Sequence, residues 1–316
     1  MRNDNMLFDI RRVSLELDFN LDEKHHTDEM THAMQLLSVS GVQEKYPAVV
    51  ERGKVRLAKD GERSTHILKP APWDGTINER WYIPANEHLT MQIASKVYGI
   101  ETAANGLCST PSGHSVYITR RFDISPDGTK YPMEDIATLI GRSETSEGTV
   151  FKYRGSYMEV AQAIRQYIPA WMVNMERFFE LLVFNYIYAN GDAHLKNFSL
   201  INDDGDYRLS PAYDLMNTAL HVRDRDFALS DGLSPNLPQS DAYSNTGHPS
   251  RQDFEWFGKE VGIVGSRVGR ILEKYCTLPD SVTEMVECSQ LTQKLQRNYL
   301  RIVKERISRF VREDKE

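Results

Sequence analysis

The stretch Asn190-Gly-Asp-Ala-His-Leu-Lys-Asn197, followed by Pro211-Ala-Tyr-Asp214, decides how this chain is interpreted. An Asp, four residues, an Asn and then a second Asp is the layout of a phosphoryl-transfer site. In such sites the first Asp accepts the proton of the attacking hydroxyl, and the other two residues hold magnesium against the phosphates. The spacing therefore predicts Asp192 as the base. It predicts Asn197 and Asp214 as ligands for Mg²⁺, which prefers hard oxygen donors.

The segments on either side of this motif predict the scaffold of a catalytic loop. Phe178–Tyr188 is long and apolar enough for a buried helix. Phe198–Ile201 and Tyr207–Leu209, joined by a polar turn at 202–205, predict a hairpin. An Asp-Asn pair alone is explained about as well by chance or ordinary turn chemistry as by a catalytic role, so the interpretation depends on these flanking elements.

Composition sets the broad class of the protein. The 316 residues are 40% hydrophobic and 26% charged, which is ordinary for a globular chain that is long enough for two lobes. The net charge is −7 and no extended basic tract offers a footprint for direct nucleic-acid binding. Three widely separated cysteines suit a reducing compartment. Without an apolar run of 18 residues or a signal-peptide core, we expect a soluble, cytoplasmic protein with no membrane contact.

The first part of the chain predicts strands around one helix. Turn-bounded strands are expected at Tyr46–Val50, Lys54–Ala58 and Thr65–Leu68, and a further strand is expected at Ser115–Arg121. Asn86 is predicted to cap a helix over residues 87–98, which Gly99 closes.

The rest of the chain predicts mainly helices. Ser230–Ser250 is expected to be a long loop, and helical periodicity continues over 251–275 and 280–312. These patterns predict an α+β fold of the two-lobed protein-kinase type, with nucleotide in the cleft. The strand-rich N-lobe would cover residues 1–121 and the helical C-lobe residues 122–316, with a hinge near the boundary.

Three features belong to the nucleotide side of this cleft. Lys69 ends a predicted strand and can pair with the α- and β-phosphates, and Glu87 can form the ion pair that orients it. The alternative for this pair is a surface lysine and a helix-start glutamate. The small-residue stretch Ser38–Lys45 can bring backbone N–H groups to phosphate oxygens, although it contains a single glycine.

Taken in chain order, these motifs resemble those of the HipA-like serine/threonine kinases, the toxins of bacterial toxin–antitoxin systems. The motifs that carry the resemblance are Ser38-Val-Ser-Gly-Val-Gln-Glu-Lys45, His66-Ile-Leu-Lys69, Asn86-Glu87, Arg120-Arg-Phe-Asp123, Met133-Glu-Asp135, Asn190–Ser199 and Pro211–Asp214. The similarity covers roughly residues 36–220, and the helices beyond it fit the family in character alone.

The resemblance implies ATP and Mg²⁺ as cofactors, and it implies roles for individual residues. Asp192 would be the catalytic base, with Glu87 in the ion pair and Asn197 and Asp214 on the metal. The implied ATP-binding residues are Ser40, Gly41, Val42, Gln43, Glu44, Lys45, Lys69, Arg120, Arg121, Phe122, His194, Leu195, Lys196, Asn197, Tyr213 and Asp214. Of these, the arginines and Phe122 would border the adenine pocket.

The resemblance also implies a substrate, a form of regulation and partners. The family phosphorylates an aminoacyl-tRNA synthetase and is inhibited by autophosphorylation of its phosphate loop, which implies Ser38 and the neighbouring Ser40 as modified residues. Because the chain begins close to this loop and carries two serines there, it resembles the short HipT form of three-component HipBST systems. That form implies a small HipS-like antitoxin and a DNA-binding HipB-like partner, with DNA reached through a partner alone.

Two other classes of function stay open at this point. A small-molecule kinase of related fold would need the same Asp-Asn-Asp arrangement, although the serine-bearing loop favours a protein kinase. A non-catalytic subunit of a repressor complex is disfavoured because Lys69, Asp192, Asn197 and Asp214 are all present.

Overall fold

The computed structural model describes residues 6–8, 12–21, 43–74, 76–125, 127–203 and 205–311. The strands are β1 Tyr46–Glu51, β2 Lys54–Leu57, β3 His66–Lys69, β4 Asn105–Ser109, β5 Ser115–Arg120, β6 Met133–Asp135, β7 Ser199–Asn202 and β8 Tyr207–Leu209. The α-helices are α1 Ile83–Lys96, α2 Ile136–Leu139, α3 Glu144–Glu147, α4 Tyr157–Tyr167, α5 Trp171–Ile187, α6 Asp241–Thr246, α7 Arg251–Glu260, α8 Gly265–Glu273, α9 Asp280–Glu287 and α10 Gln293–Phe310. Strands dominate the first part and helices the second, so the chain has the predicted α+β organisation.

The strand-rich part is a five-stranded antiparallel sheet in the order β2-β1-β3-β5-β4. Alternate side chains such as Tyr46, Ala48 and Leu68 enter a small core with apolar residues of β5. β4 was not predicted. Its sequence, Asn-Gly-Leu-Cys-Ser, has little strand propensity, and the segment is extended because it pairs along its whole length with β5.

Helix α1 differs from its prediction at its start. Asn86 does not cap the helix, because a 3₁₀ turn at Arg80–Tyr82 leads directly into Ile83, and Pro84 fits the first turn where no N–H is needed. The Asn86 side chain instead donates to the carbonyl of Asn217, 2.8 Å away. The buried face of α1 shares the hydrophobic core of the helical part, so this helix connects the sheet to that part.

The helical part is built around α5, which starts seven residues before the predicted segment and is largely buried. The predicted hairpin forms as β7 and β8, and β6, which was not predicted, adds a third strand beside β7. Helix α5 ends just before the 190–197 motif and β7 of this small sheet begins just after it, so the helix and the sheet hold the two ends of the loop.

Two predictions about the last third need correction. The expected loop at 230–250 contains α6, which Ser240 caps by accepting from the Tyr243 N–H at 3.0 Å. The expected helical stretch 251–275 is divided into α7 and α8 at Gly262, which adopts φ +90°, and the stretch 280–312 is divided into α9 and α10 by residues 288–292. In the described part of the chain, no helix combines the length and apolar character that a membrane span needs. The lobe boundary at residue 121 stays a prediction.

Candidate active site

Asp214 is the centre of the charged cluster at the cleft. Three side chains donate to its carboxylate: Lys45 at 3.3 Å, Asn197 at 3.2 Å, and Lys69. Burial acts to raise the pKa of Asp214, but the two ammonium groups outweigh it and hold this pKa well below its usual range. Asp214 has φ +56°, an uncommon value for a residue other than glycine, so the fold imposes this conformation on the carboxylate.

Lys69 connects this carboxylate to helix α1. Its Nζ lies 2.6 Å from Oε1 of Glu87, and both side chains are buried. Burial alone would lower the pKa of Lys69, but Asp214 and Glu87 raise it above its ordinary value. The strand, the helix and the segment after β8 therefore meet at one ionised lysine.

The turn after α5 places Asp192 beside this cluster. Ala189 has φ +53° and Asn190 donates through Nδ2 to the carbonyl of Asp214 at 3.2 Å, which joins the two halves of the motif. Gly191 is required because a Cβ there would lie 2.2 Å from the carboxyl carbon of Asp224. The loop is thus fixed by backbone geometry that few sequences allow.

The Asp192 side chain is exposed to solvent. Its Oδ1 accepts a 2.7 Å hydrogen bond from the hydroxyl of Tyr153. The surrounding protein desolvates the carboxyl enough to raise its pKa, although Tyr153 and Lys152 act in the opposite direction. A carboxylate with a raised pKa is suited to accept a proton from a hydroxyl.

His194 is buried and uncharged. Neither of its ring nitrogens has a hydrogen-bond partner among the residues that the structure describes. Burial, aided by the charge of Lys152, lowers the pKa of His194 to about 3. The ring packs edge-on against Tyr153, with ring centres 5.1 Å apart. A buried histidine without a partner is costly, and this one lines the cleft, where a bound ligand can reach it.

The next three residues of the motif have different surroundings. Leu195 is fully buried in the hydrophobic core and does not line the cleft, so its side chain does not fit the ATP contact that was predicted for it. Lys196 lines the cleft with its Nζ 3.5 Å from Asp135. Asn197 lines it too, and its Oδ1 accepts from the N–H of His194 at 3.1 Å.

A cavity of about 650 Å³ lies between the sheet and this loop, large enough for a nucleotide. The predicted site residues that line it are Lys45, Lys69, Arg120, Arg121, Phe122, His194, Lys196, Asn197, Tyr213 and Asp214. The rings of Phe122 and Tyr213 lie 5.7 Å apart and, with Ile67 and Met133, give this cavity an apolar side that fits a planar base.

The predicted phosphate loop is described only at its end. Ser38, Ser40, Gly41 and Val42 lie outside the described residues. Gln43 donates to the carbonyl of Pro70 at 2.9 Å, Glu44 is half-buried just before β1, and Lys45 reaches Asp214.

The donor set suits a magnesium ion that is shared with phosphates. Asp214 offers carboxylate oxygens 3.2 Å from the Asn197 Nδ2, and Asn197 offers an amide oxygen that also accepts from the His194 N–H. No group of three or more His, Cys, Asp or Glu side chains in the described ranges could hold a metal by itself. Mg²⁺ characteristically takes one or two protein oxygens and completes its shell with phosphate and water. The residues present therefore fit this ion.

Sequence reasoning missed three residues at the site: Lys152, Tyr153 and Asp224. They come from a 3₁₀ turn at Phe151–Tyr153 and from the segment after Thr218–Leu220. Neither segment carries a motif with a recognisable spacing, and both come close to Asp192 only when the chain is folded. The one available signal was the presence of a lysine and a tyrosine between predicted helices.

Two curated relatives carry kinase names. The chain is 27% identical over 262 residues to "Putative kinase Y4mE" of Sinorhizobium fredii, covering 79% of this chain and 56% of that protein. It is 26% identical over 223 residues to a "Putative kinase" of Haemophilus influenzae, covering 64% and 62%. The chain thus spans about three-fifths of the length of these relatives.

Solved structures and a family profile complete the comparison. The fold matches HipA of Shewanella oneidensis, solved with HipB and operator DNA, with a TM-score of 0.66 and 18% identity over 86% of this chain and 65% of that one. It also matches CtkA, a proinflammatory kinase of Helicobacter pylori, with a TM-score of 0.56 and 12% identity over 95% of both chains. These structures share the two-lobed kinase-like fold, and the profile of the HipA-like C-terminal domain matches residues 37–282. The chain belongs to the HipA-like C-terminal domain family.

Proposed function

We propose that this chain is a kinase that transfers the γ-phosphoryl group of ATP to a serine or threonine hydroxyl of a protein. The observation that carries the proposal is the convergence of Lys69, Asn197 and Asp214 on one nucleotide-sized cavity, with Asp192 close to Asp214 on the loop that carries Asn197. Residues that are up to 145 positions apart in sequence meet there with the charges that phosphoryl transfer needs.

Each residue has a defined task. Phe122 and Tyr213 hold the base, and Lys69 and Lys45 neutralise phosphate oxygens when the nucleotide displaces them from Asp214. Asp192 orients the acceptor hydroxyl and takes its proton. Magnesium, held by Asn197 and Asp214, would neutralise the charge of the phosphates.

The finer proposals rest on the family and its neighbours. The solved HipA is assembled with HipB and operator DNA, so we propose a HipB-like DNA-binding partner and a toxin role for this chain. An aminoacyl-tRNA synthetase as the substrate, a HipS-like antitoxin, and autophosphorylation at Ser38 and Ser40 are proposed on the family resemblance. A phosphate on the loop would compete with ATP, since it adds about −1.5 to −2 charges.

The experiment is a transfer assay in a cell extract. Purified chain, γ-labelled ATP and Mg²⁺ are added to a nucleotide-depleted lysate, and mass spectrometry identifies what becomes labelled. The Asp192→Asn variant is the control for contaminating kinases. Label on one or a few proteins, absent with the control, supports the proposal. Label on a small metabolite would indicate the small-molecule kinase. No transfer with nucleotide bound would favour a binding subunit.

A further inference from the structure

The two end residues of the 3₁₀ turn Phe151–Tyr153 both contact the catalytic loop. The Phe151 ring lies 5.7 Å from the Nζ of Lys196. The Tyr153 hydroxyl donates to Asp192 at 2.7 Å. Lys152 lies between these two contacts, with its Nζ 5.0 Å from the centre of the Tyr153 ring. The turn therefore holds Lys152 beside the loop that carries Asp192 and Lys196.

Lys152 has a largely buried side chain and an ammonium group without a carboxylate partner. The exposed fraction of the residue is 8%, and within the described ranges no Asp or Glu oxygen lies within 4 Å of its Nζ. The exposure that remains includes the ammonium group, so a buried stem carries the charge to solvent. Lys69, in contrast, has two carboxylate partners. The ammonium group of Lys152 can therefore pair with an anionic ligand without first breaking an ion pair.

The charges around Lys152 indicate which ligand would pair with its ammonium group. Burial lowers its pKa, aided by the charges of Lys45 and Lys196, and the carboxylates of Asp192 and Asp214 oppose that effect. An acceptor hydroxyl held by Asp192 must lie next to the γ-phosphorus, since reacting atoms approach to about 3 Å before transfer. An anion beside Asp192 lies near the charge of Lys152, whereas Lys45 and Lys69 are paired with Asp214.

We propose that Lys152 is a catalytic residue that binds the transferring γ-phosphoryl group of ATP. The inference rests on the kinase function proposed above. In the step, the acceptor oxygen bonds to the γ-phosphorus as the bond to the β,γ-bridging oxygen breaks. The hydroxyl proton passes to Asp192, and ADP leaves with the electron pair of the broken bond. Lys152 forms no covalent bond and balances charge on the equatorial oxygens, which carry much of it in the transition state.

Removing the charge of Lys152 should weaken the binding of ATP more than the binding of ADP. Lys152→Met keeps the length of the stem, Lys152→Arg keeps the charge, and Lys259→Met removes an equal charge from an exposed position on α7. Affinities for ATP and ADP with Mg²⁺ are measured by calorimetry in the non-transferring Asp192→Asn background. We expect Lys152→Met to weaken ATP about 10-fold and ADP less than about 2-fold, because a contact to a charged group is lost for ATP alone.

Transfer and stability give two further readouts. With Asp192 restored, Lys152→Met should lower kcat for γ-label transfer about 10²–10³-fold, the range for loss of one group that stabilises transition-state charge. Lys152→Arg should recover part of this loss, and Lys259→Met should transfer at the wild-type rate. The melting temperature of Lys152→Met should stay close to that of the wild type, because the lost ammonium group pairs with no carboxylate.

Two results would overturn the role of Lys152. One is a Lys152→Met protein that binds ATP and ADP like the wild type and transfers within about 3-fold of its rate. The other is an equal loss of both nucleotides together with a lower melting temperature, which marks a structural lysine. If Lys152→Met does not fold, Lys152→Gln carries the same comparison. A wild type that transfers no phosphate would refute the kinase function itself, whereas an active wild type matched by Lys152→Met refutes this inference alone.

Discussion

The two ends of the cleft differ in how their charges are compensated. At the nucleotide end, Lys45 pairs with Asp214. Lys69 pairs with both Asp214 and Glu87, so each of these charges has a partner. At the acceptor end, the Asp192 carboxylate has a single phenolic donor and is open to solvent. Its neighbours there are a lysine without a carboxylate partner and a neutral, unpartnered histidine in the described part of the chain.

This difference shows where binding energy is needed. At the nucleotide end, a ligand must exchange existing ion pairs for new ones, so the net gain is small and the geometry is already fixed. At the acceptor end, groups that are poorly compensated gain a partner when substrate arrives. Such interactions, made at the reacting centre, are the ones that raise the rate of a chemical step.

The largest expected effect on nucleotide binding comes from removing the charge of Asp214 at the nucleotide end. Asn tolerates a positive φ, so Asp214→Asn should keep the backbone while it removes the charge that holds both lysines and the metal. Nucleotide at about 100 times Kd stabilises a protein by about 2.7 kcal/mol. We expect Mg²⁺-ATP to give the wild type this protection in a thermal melt and to give the variant almost none. Equal protection of both proteins would remove Asp214 from the metal site.

Unpairing Glu87 is expected to act on the stability of the fold itself. Lys69→Met leaves this buried carboxylate without its 2.6 Å partner, which should cost about 3–5 kcal/mol in the free energy of unfolding. Because the cost comes from an uncompensated charge, Lys69→Met/Glu87→Gln should recover part of the stability and none of the nucleotide binding. Urea unfolding measures the first quantity and calorimetry the second. A double variant no more stable than the single one would contradict the pairing account.

At the acceptor end, Tyr153→Phe tests how Asp192 is tuned. The Tyr153 hydroxyl donates to the carboxylate, which favours the ionised form, so its loss should raise the pKa of Asp192 further. Since the base works ionised, the acidic limb of the kcat–pH profile should move to higher pH, with solvent limiting the effect. The affinity for ADP should stay the same. A downward or absent move of that limb would contradict the orientation of this hydrogen bond.

The smallest expected signal is the absence of a titration. With its pKa lowered to about 3, His194 should stay neutral throughout the physiological range. In the folded protein the neutral form is favoured, so stability from this group is complete above about pH 6.5 and falls as pH drops toward 3. Proton NMR of the imidazole, assigned by comparison with His194→Gln, should show no titration between pH 5 and 8. A midpoint near 6.5 would mean that the ring is solvated.

Much of the fold could be predicted because local patterns and tertiary contacts agree. The apolar run of α5, the turn between β7 and β8, and the turns around β1 and β2 each have a sequence signal that the fold keeps. β4 could not be predicted, since its extended form depends on pairing with β5. Asn86 was misassigned as a cap because its partner, Asn217, is distant in sequence.

The candidate site follows the same division. Asp192, Asn197 and Asp214 could be named because their chemistry depends on residue types at a recognisable spacing. Lys152 and Tyr153 could not, since their importance depends on burial and on a contact across 39 positions. Leu195 was assigned to the ligand because it lies inside the motif, but its side chain belongs to the core.

The most direct test of the account is γ-phosphoryl transfer by the wild type and by Asp192→Asn, with ADP affinity measured on the same preparations. Loss of the base should lower the transfer rate about 10²–10⁴-fold. The affinity for ADP should remain unchanged, because Asp192 lies at the acceptor end and makes no contact with Lys45, Lys69 or Asp214 within hydrogen-bond distance. A folded Asp192→Asn protein that transfers phosphate at the wild-type rate would contradict the account.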